Sequence, residues 1–298
     1  MNDTVIDFGL QHDELGRIVA FIQKSADHGE CVLIPVSGGL DSDVVARLCQ
    51  RALGRERIKL LIVQQDEMES RFMDNALLLA QDLGVKLSIV DLRQMNLSLI
   101  RAAESADPDL FDIESLLDPM RAKCSMRSAL LCSYQDKGYL LAGTSNRTEI
   151  ELGFFMPFGD NLAHFKPIAH LYKTEVKQLA SLIGCRTEVA AQAPSAGFWE
   201  GQEDIEDLTY WMINRGPIMG KRRQFSDAEI ETARLIRATL SQEAVDTCLK
   251  GFAVNLDHGA ITSSAGLPEE YVAMIGDIVV KARLWKSRPL LLTMKQRE

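Results

Sequence analysis

The stretch VSGGLDSDVVARL, residues 36–48, restricts this chain more than any other. A short apolar run, residues 31–36, ends at Ser37-Gly38-Gly39. From Leu40 the apolar positions Leu40, Val44, Val45, Leu48 and Ala52 recur at helical spacing until Gly54. A buried strand therefore turns through two glycines directly into a helix. The alternation continues. Apolar runs at 58–63, 85–90 and 139–142 read as strands. Helical patterns occupy 5–28, 72–83 (stopped by Gly84), 97–106, 121–136 and 171–183 (stopped by Gly184). Strands alternating with helices at this spacing predict an α/β, doubly wound, mostly parallel sheet with helices on both faces. From about Pro194 the chain turns richer in Gly, Pro and charge, then resumes helical patterns at 227–240 and 268–281. A single domain over 1–298 is expected, with an α/β core at 1–190 and a loop plus C-terminal helical extension at 191–298.

Composition narrows the setting. With 298 residues, 46% of them hydrophobic, the chain can bury a core without staples. It has no apolar run long enough for a bilayer, and no basic, apolar leader follows Met1, so a cytoplasmic protein is expected. Its six scattered cysteines form no C-x-x-C pair and read as reduced thiols. A net charge of -9 argues against general nucleic-acid binding. The compact basic cluster Lys221-Arg222-Arg223 reads as a solvated loop.

The glycine turn carries chemistry. Ligands of a parallel sheet sit beyond the carboxyl ends of its strands, and 37–42 lies at such an end. A helix N-terminus offers free N–H groups and a positive dipole end, which suits phosphate. Gly38 and Gly39 let the backbone approach, and Ser37 and Ser42 add hydroxyls. Asp41 would repel phosphate unless a cation such as magnesium lies between. The plain alternative is a tight turn with Asp41 or Ser42 as a helix cap. Neither G-x-x-x-x-G-K-[ST] nor G-x-G-x-x-G is present. The loop resembles the S-G-G-x-D-S pyrophosphate loop of ATP-pyrophosphatase enzymes. That resemblance implies ATP binding and cleavage between the α and β phosphates.

A second block runs from Gly143-Thr144 through Glu149, Gly153-Phe154-Phe155, Phe158-Gly159-Asp160 and Pro167 to Leu171-Tyr172-Lys173. The end of the fourth strand brings Thr144 beside the same crevice as Ser37. Glu149, early in the next helix, is within reach of a shared magnesium, and Lys173 can face phosphate as a point charge. Taken singly, each residue also fits a surface role. Order and spacing together resemble the ammonia-dependent NAD synthetases. A third block, Pro194-Ser195-Ala196 through Gly201-Gln202 and Asp204, and a basic close from Lys286 to Arg288-Pro289 extend the resemblance over almost the whole chain.

The resemblance implies a Rossmann-like fold and a homodimer. It also implies an ATP- and magnesium-dependent ligase that adenylates the carboxylate of deamido-NAD and then transfers ammonia. It assigns Ser37, Gly38, Gly39, Ser42, Thr144, Lys173 and Ser195 to ATP, Asp41 and Glu149 to the metal, and Asp41, Lys173 and Ser195 to catalysis. Lys123, Phe155, Asp160 and His164 fall to the acid substrate, with 191 onward as the substrate loop. The chain departs from the family at Lys123-Cys124-Ser125, at 161–164 where an acid is missing, at Gln64-Gln65-Asp66-Glu67 where a basic residue is usual, and at Pro35 in the strand. An amidating relative with another carboxylate, or a silent ATP-binding protein, stays open. A sulfur-transferring enzyme acting on tRNA is disfavoured by the absence of C-x-x-C and of a basic face. The chain shows no glutaminase portion, so free ammonia or ammonia from a separate partner is expected.

Overall fold

The computed structural model describes residues 10, 12–66, 68–115, 117–155, 162–197, 199–218 and 224–286. Four parallel strands form one sheet: β1 (Val32–Pro35), β2 (Ile58–Gln64), β3 (Leu87–Asp91) and β4 (Leu140–Leu141), in the order β3-β2-β1-β4. The order reverses between β1 and β4. That is the topological switch point, where an open parallel sheet leaves a crevice for a ligand.

Alternation along the strands loads both faces. Val32, Ile34, Leu60 and Ile62 enter a large core with α1 (Glu14–Ser25), α2 (Leu40–Leu53), α3 (Ser70–Leu83) and α7 (Lys173–Ile183). Leu33, Leu61 and Leu141 point the other way, onto Leu130, Leu131 and Tyr134 of α5 (Leu117–Gln135), beside which lies α4 (Met95–Ala106). Fully burying one such Leu or Ile stabilises the fold by about 1.5–3 kcal/mol. Short α6 (Arg147–Leu152) leads on from β4, and α8 (Thr187–Ala190) follows α7.

A second core is purely helical. It packs α9 (Asp204–Ile213), α10 (Asp227–Thr239), α11 (Gln242–Ala253), α12 (His258–Ala265) and α13 (Glu269–Lys286) around Met212, Ile236, Leu249, Ile261 and Ile275. Leu152 of α6 and Tyr172 join it from the sheet side.

Pro35 is accommodated without loss of pairing. Val36 N–H bonds Leu61 O and Ala142 N–H bonds Leu33 O, so alternate residues of β1 serve β2 and β4. Pro35 falls on the β4 side, where that two-residue strand has already ended at Leu141, so the missing N–H has no ladder bond to lose. Helix α5 starts at Leu117 rather than near Arg121, because Pro119 sits in its first turn, where no intrahelical N–H is needed.

Candidate active site

The glycine turn leaves β1 at the switch point. Ser37 N–H donates to Ser42 Oγ at 3.1 Å, and Gly39 N–H donates to Ser37 Oγ at 3.2 Å. Ser42 Oγ donates back to Gly39 O at 3.0 Å. The two serines thus hold the turn in shape. Gly38 has φ +80°, and a Cβ there would lie 2.0 Å from the Phe72 carbonyl oxygen. Asn75 Nδ2 clamps Gly38 O at 2.9 Å. The N-cap of α2 is Gly39, and no side chain caps the helix. Asp41 therefore is not a cap. Its carboxylate turns across the crevice.

Opposite Asp41 stands Lys173, the first residue of α7, whose ammonium pairs with Asp41 Oδ2. Asn146 caps α6 by accepting Glu149 N–H at 3.0 Å, while its Nδ2 donates to Asp41 Oδ1 at 3.1 Å and to Glu149 Oε1 at 2.8 Å. Asp204, first residue of α9, completes the group. Its carboxylate accepts a backbone bond from Ala196, and its N–H bonds Pro194 O at 2.9 Å, which holds the 194–197 loop over the crevice.

Electrostatics follow from three carboxylates around one ammonium. Burial pushes the Glu149 carboxyl up to about 8, with the Asp41 charge adding and Lys173 opposing. Burial also raises Asp204, to about 6, against the pull of Lys173. Burial works against the Lys173 charge too, yet Asp41 and Glu149 hold the proton well above the ordinary lysine range. The cluster is short of positive charge. Among the described residues no group of three or more acids, histidines or cysteines can enclose a metal unaided. The oxygen donors of Asp41 and Glu149 instead suit a hard cation that takes one or two protein carboxylates and completes its shell with water and phosphate.

Beside this cluster a cleft opens at the strand ends. Ser37, Thr144, Ser195 and Lys123 all line it, with Val63 and Gln65 from the end of β2. Ser195 Oγ accepts Gly197 N–H at 3.0 Å. Lys123 is buried, and its Nζ donates to Asp66 O at 2.9 Å while Gln65 Nε2 donates to Lys123 O at 3.1 Å. Two of the departures noted in the sequence, at Gln65-Asp66 and at Lys123, are therefore in contact.

Of the other sequence-derived candidates, Phe155 and His164 do not line this cleft. Phe154, next to Phe155, stacks on Trp211 at 4.3 Å. His164 is exposed, and its Nδ1 accepts Leu141 N–H at 2.9 Å, extending the pairing at the free edge of β4. Asp160 and the 221–223 cluster fall outside the described residues. Sequence reasoning passed over Asn146, which stands inside the Gly143–Glu149 block. Asp204 closes the Pro194–Asp204 block, and the resemblance gives it no task.

The family model for NAD synthase matches residues 14–251, which span every element of this site. The chain belongs to the NAD synthase family. Among relatives, the NH(3)-dependent NAD(+) synthetase of Pyrococcus furiosus is 36% identical over 193 residues, covering 64% of this chain and 71% of that protein. Its counterpart from Methanocaldococcus jannaschii is 35% identical over 197 residues, covering 65% and 74%. An NH3-dependent NAD synthetase from Campylobacter jejuni superposes with a TM-score of 0.67 at 22% identity, covering 97% of this chain and all of that one. The NMN synthetase from Francisella tularensis superposes with a TM-score of 0.70 at 20% identity, covering 95% and 98%. At these identities the last two establish a shared fold.

Proposed function

We propose that this chain is an ammonia-dependent ligase that converts the nicotinate carboxylate of deamido-NAD into the amide, consuming ATP and releasing pyrophosphate and AMP. The observation that carries this reading is the meeting of the glycine turn, Thr144 and Ser195 around one cleft beside the Asp41–Lys173–Glu149 cluster. ATP is assigned to the cleft, with its pyrophosphate end at Ser37, Gly38, Gly39 and Ser42, where the uncapped N-terminus of α2 supplies N–H groups and dipole. Magnesium is assigned to Asp41 and Glu149, where it would neutralise charge that develops on the leaving pyrophosphate. Lys173 exchanges its Asp41 contact for a phosphate oxygen, and Ser195 donates from the loop that Asp204 holds in place.

A carboxylate is a poor acyl donor. Its oxygen attacks the α-phosphorus, the bond to the β-phosphate bridging oxygen breaks, and pyrophosphate departs. Ammonia then attacks the acyl carbon, the carbon–oxygen bond to AMP breaks, and the nitrogen sheds a proton. Lys123, assigned to the acid substrate, lines the same cleft as Ser37 and Thr144. The test is direct: with ATP, magnesium and ammonium, deamido-NAD should yield NAD and AMP in equal amounts. Turnover of nicotinate mononucleotide in its place, with deamido-NAD inert, would reassign the acid.

A homodimer fits the exposed apolar side chains of β3 and α4: Ile89, Met95 and Leu99 are each about half exposed. Sedimentation should give twice the chain mass, and Leu99→Asp should shift it towards monomer. A reducing compartment suits six thiols that form no disulfide.

A further inference from the structure

Helix α7 begins at Lys173, yet its N-cap, Tyr172, offers no side-chain bond to the first helical N–H groups. Those groups are served from elsewhere. Lys173 N–H donates to Thr148 Oγ1 at 2.9 Å, and Thr148 Oγ1 donates to Asp246 Oδ1 at 2.6 Å. Thr174 N–H donates to Asp246 Oδ2 at 2.8 Å. Gln242 Nε2 adds a bond to Oδ1 at 3.0 Å. A single carboxylate from α11, fully buried, thus satisfies the start of a helix that lies 72 residues earlier in the chain.

Burying a carboxylate is costly, and burial raises the Asp246 carboxyl above its ordinary range. A negative charge at a helix N-terminus recovers part of that cost. Only a carboxylate accepts at both oxygens. An amide that kept its oxygen on Thr148 would turn N–H groups against Thr174 N–H. Thr148 also immediately precedes Glu149 and belongs to the helix that Asn146 caps. The relay therefore locks the backbones that carry Lys173 and Glu149 to one another and to the helical extension.

We infer that Asp246, acting through Thr148, is a positioning residue that aims Lys173 at the phosphate chain. This rests on the reading of Lys173 as a phosphate contact. A misplacement of about 1 Å in such a group costs on the order of 10²-fold in rate. The test uses the full chain with Asp246→Asn, Thr148→Ala and Thr148→Ser. The measurements are AMP formation and the rise in melting temperature on adding ATP and magnesium, each taken against the variant's own ligand-free value and well below its melting point. Asp246→Asn and Thr148→Ala should each lose on the order of 10²-fold in AMP formation and most of the ATP-induced rise. Thr148→Ser, which keeps the hydroxyl, should restore both, and combining Asp246→Asn with Thr148→Ala should be no worse than Asp246→Asn alone.

A purely structural carboxylate would lower the ligand-free melting temperature and leave AMP formation and the ATP-induced rise intact, which overturns the proposal. So does failure of Thr148→Ser to rescue Thr148→Ala. If the wild type makes no AMP with deamido-NAD, the substrate reading fails instead, and the ATP-induced rise, which needs no acid substrate, still decides the relay. If Asp246→Asn does not fold, Thr148→Ala and Thr148→Ser decide it by the same two measurements.

Discussion

Asp41→Asn and Glu149→Gln are each expected to cut magnesium-dependent AMP formation by about 10²–10³-fold or more, without loss of fold. Each replaces a carboxylate that would hold the cation with an amide, which binds a hard divalent ion more weakly. The expectation has a stability counterpart with a definite sign. Burial and the Asp41 charge raise the Glu149 carboxyl from 4.5 to about 8. The folded chain thus binds more protons than the unfolded chain between those values, so this group lowers stability as pH rises through that window. Metal-free Glu149→Gln should melt above wild type at pH 8, with the gain shrinking towards pH 4.5. Added magnesium with ATP should raise the melting temperature of wild type and leave the variant nearly unmoved. Unchanged AMP yield in either variant would remove the metal assignment.

Gly38→Ala is expected to be the most damaging glycine-to-alanine change among the described residues. The added Cβ would meet the Phe72 carbonyl oxygen at 2.0 Å and the Phe72 carbonyl carbon at 2.6 Å, both backbone atoms, and φ at +80° is strained for alanine in any case. Either the turn leaves the head of α3 or α3 shifts, at a cost of about 2–4 kcal/mol. Nucleotide binding should fall with it, since the same turn carries Ser37 and the start of α2. Gly39→Ala is the comparison, a methyl added to the same phosphate turn without a backbone clash. Its Cβ would meet Ser37 Oγ at 3.3 Å, a side-chain atom that can give way, and its φ is negative. Circular-dichroism melts and ATP titrations of the two variants should separate by more than about 1 kcal/mol. Equal behaviour would mean that the turn adapts and that its shape does not set ATP binding.

The α/β core was legible because its signals are local. Three strands of four to seven residues, mostly apolar, and helices closed by Gly54, Gly84 and Gly184 announce themselves by periodicity and by a glycine stop. The helical extension was legible only in part. Helices at 227–239 and 269–286 match the patterns expected at 227–240 and 268–281, whereas α9, α11 and α12 have no counterpart in that reading. In α11 every position from Ala244 to Lys250 is buried, including Asp246, Thr247 and Lys250. Val245, Cys248, Leu249 and Phe252 do recur at helical spacing, but the polar residues among them, which such a stripe would leave to solvent, are enclosed and paired by the packing of neighbouring helices. Asp246 was invisible for the same reason, since its partners are backbone N–H groups and a hydroxyl on other helices.

Within the site, the sequence by itself determined the turn. Strand, two glycines, two serines and a helix start are contiguous, and their geometry follows from short-range sterics and hydrogen bonding. Which side chains share a charge cluster was decided by tertiary structure alone. Lys173 lies 132 residues from Asp41 and Asn146 lies 105 from it, and only the return of the chain to β4, beside β1, makes them neighbours. His164 illustrates the same limit, as its ring closes the edge of β4 beside Leu141. A residue type fixes what a side chain can donate, accept or carry. What it meets depends on which strands pair, and that contact, through burial and Coulomb interaction, sets the charge state with which it acts.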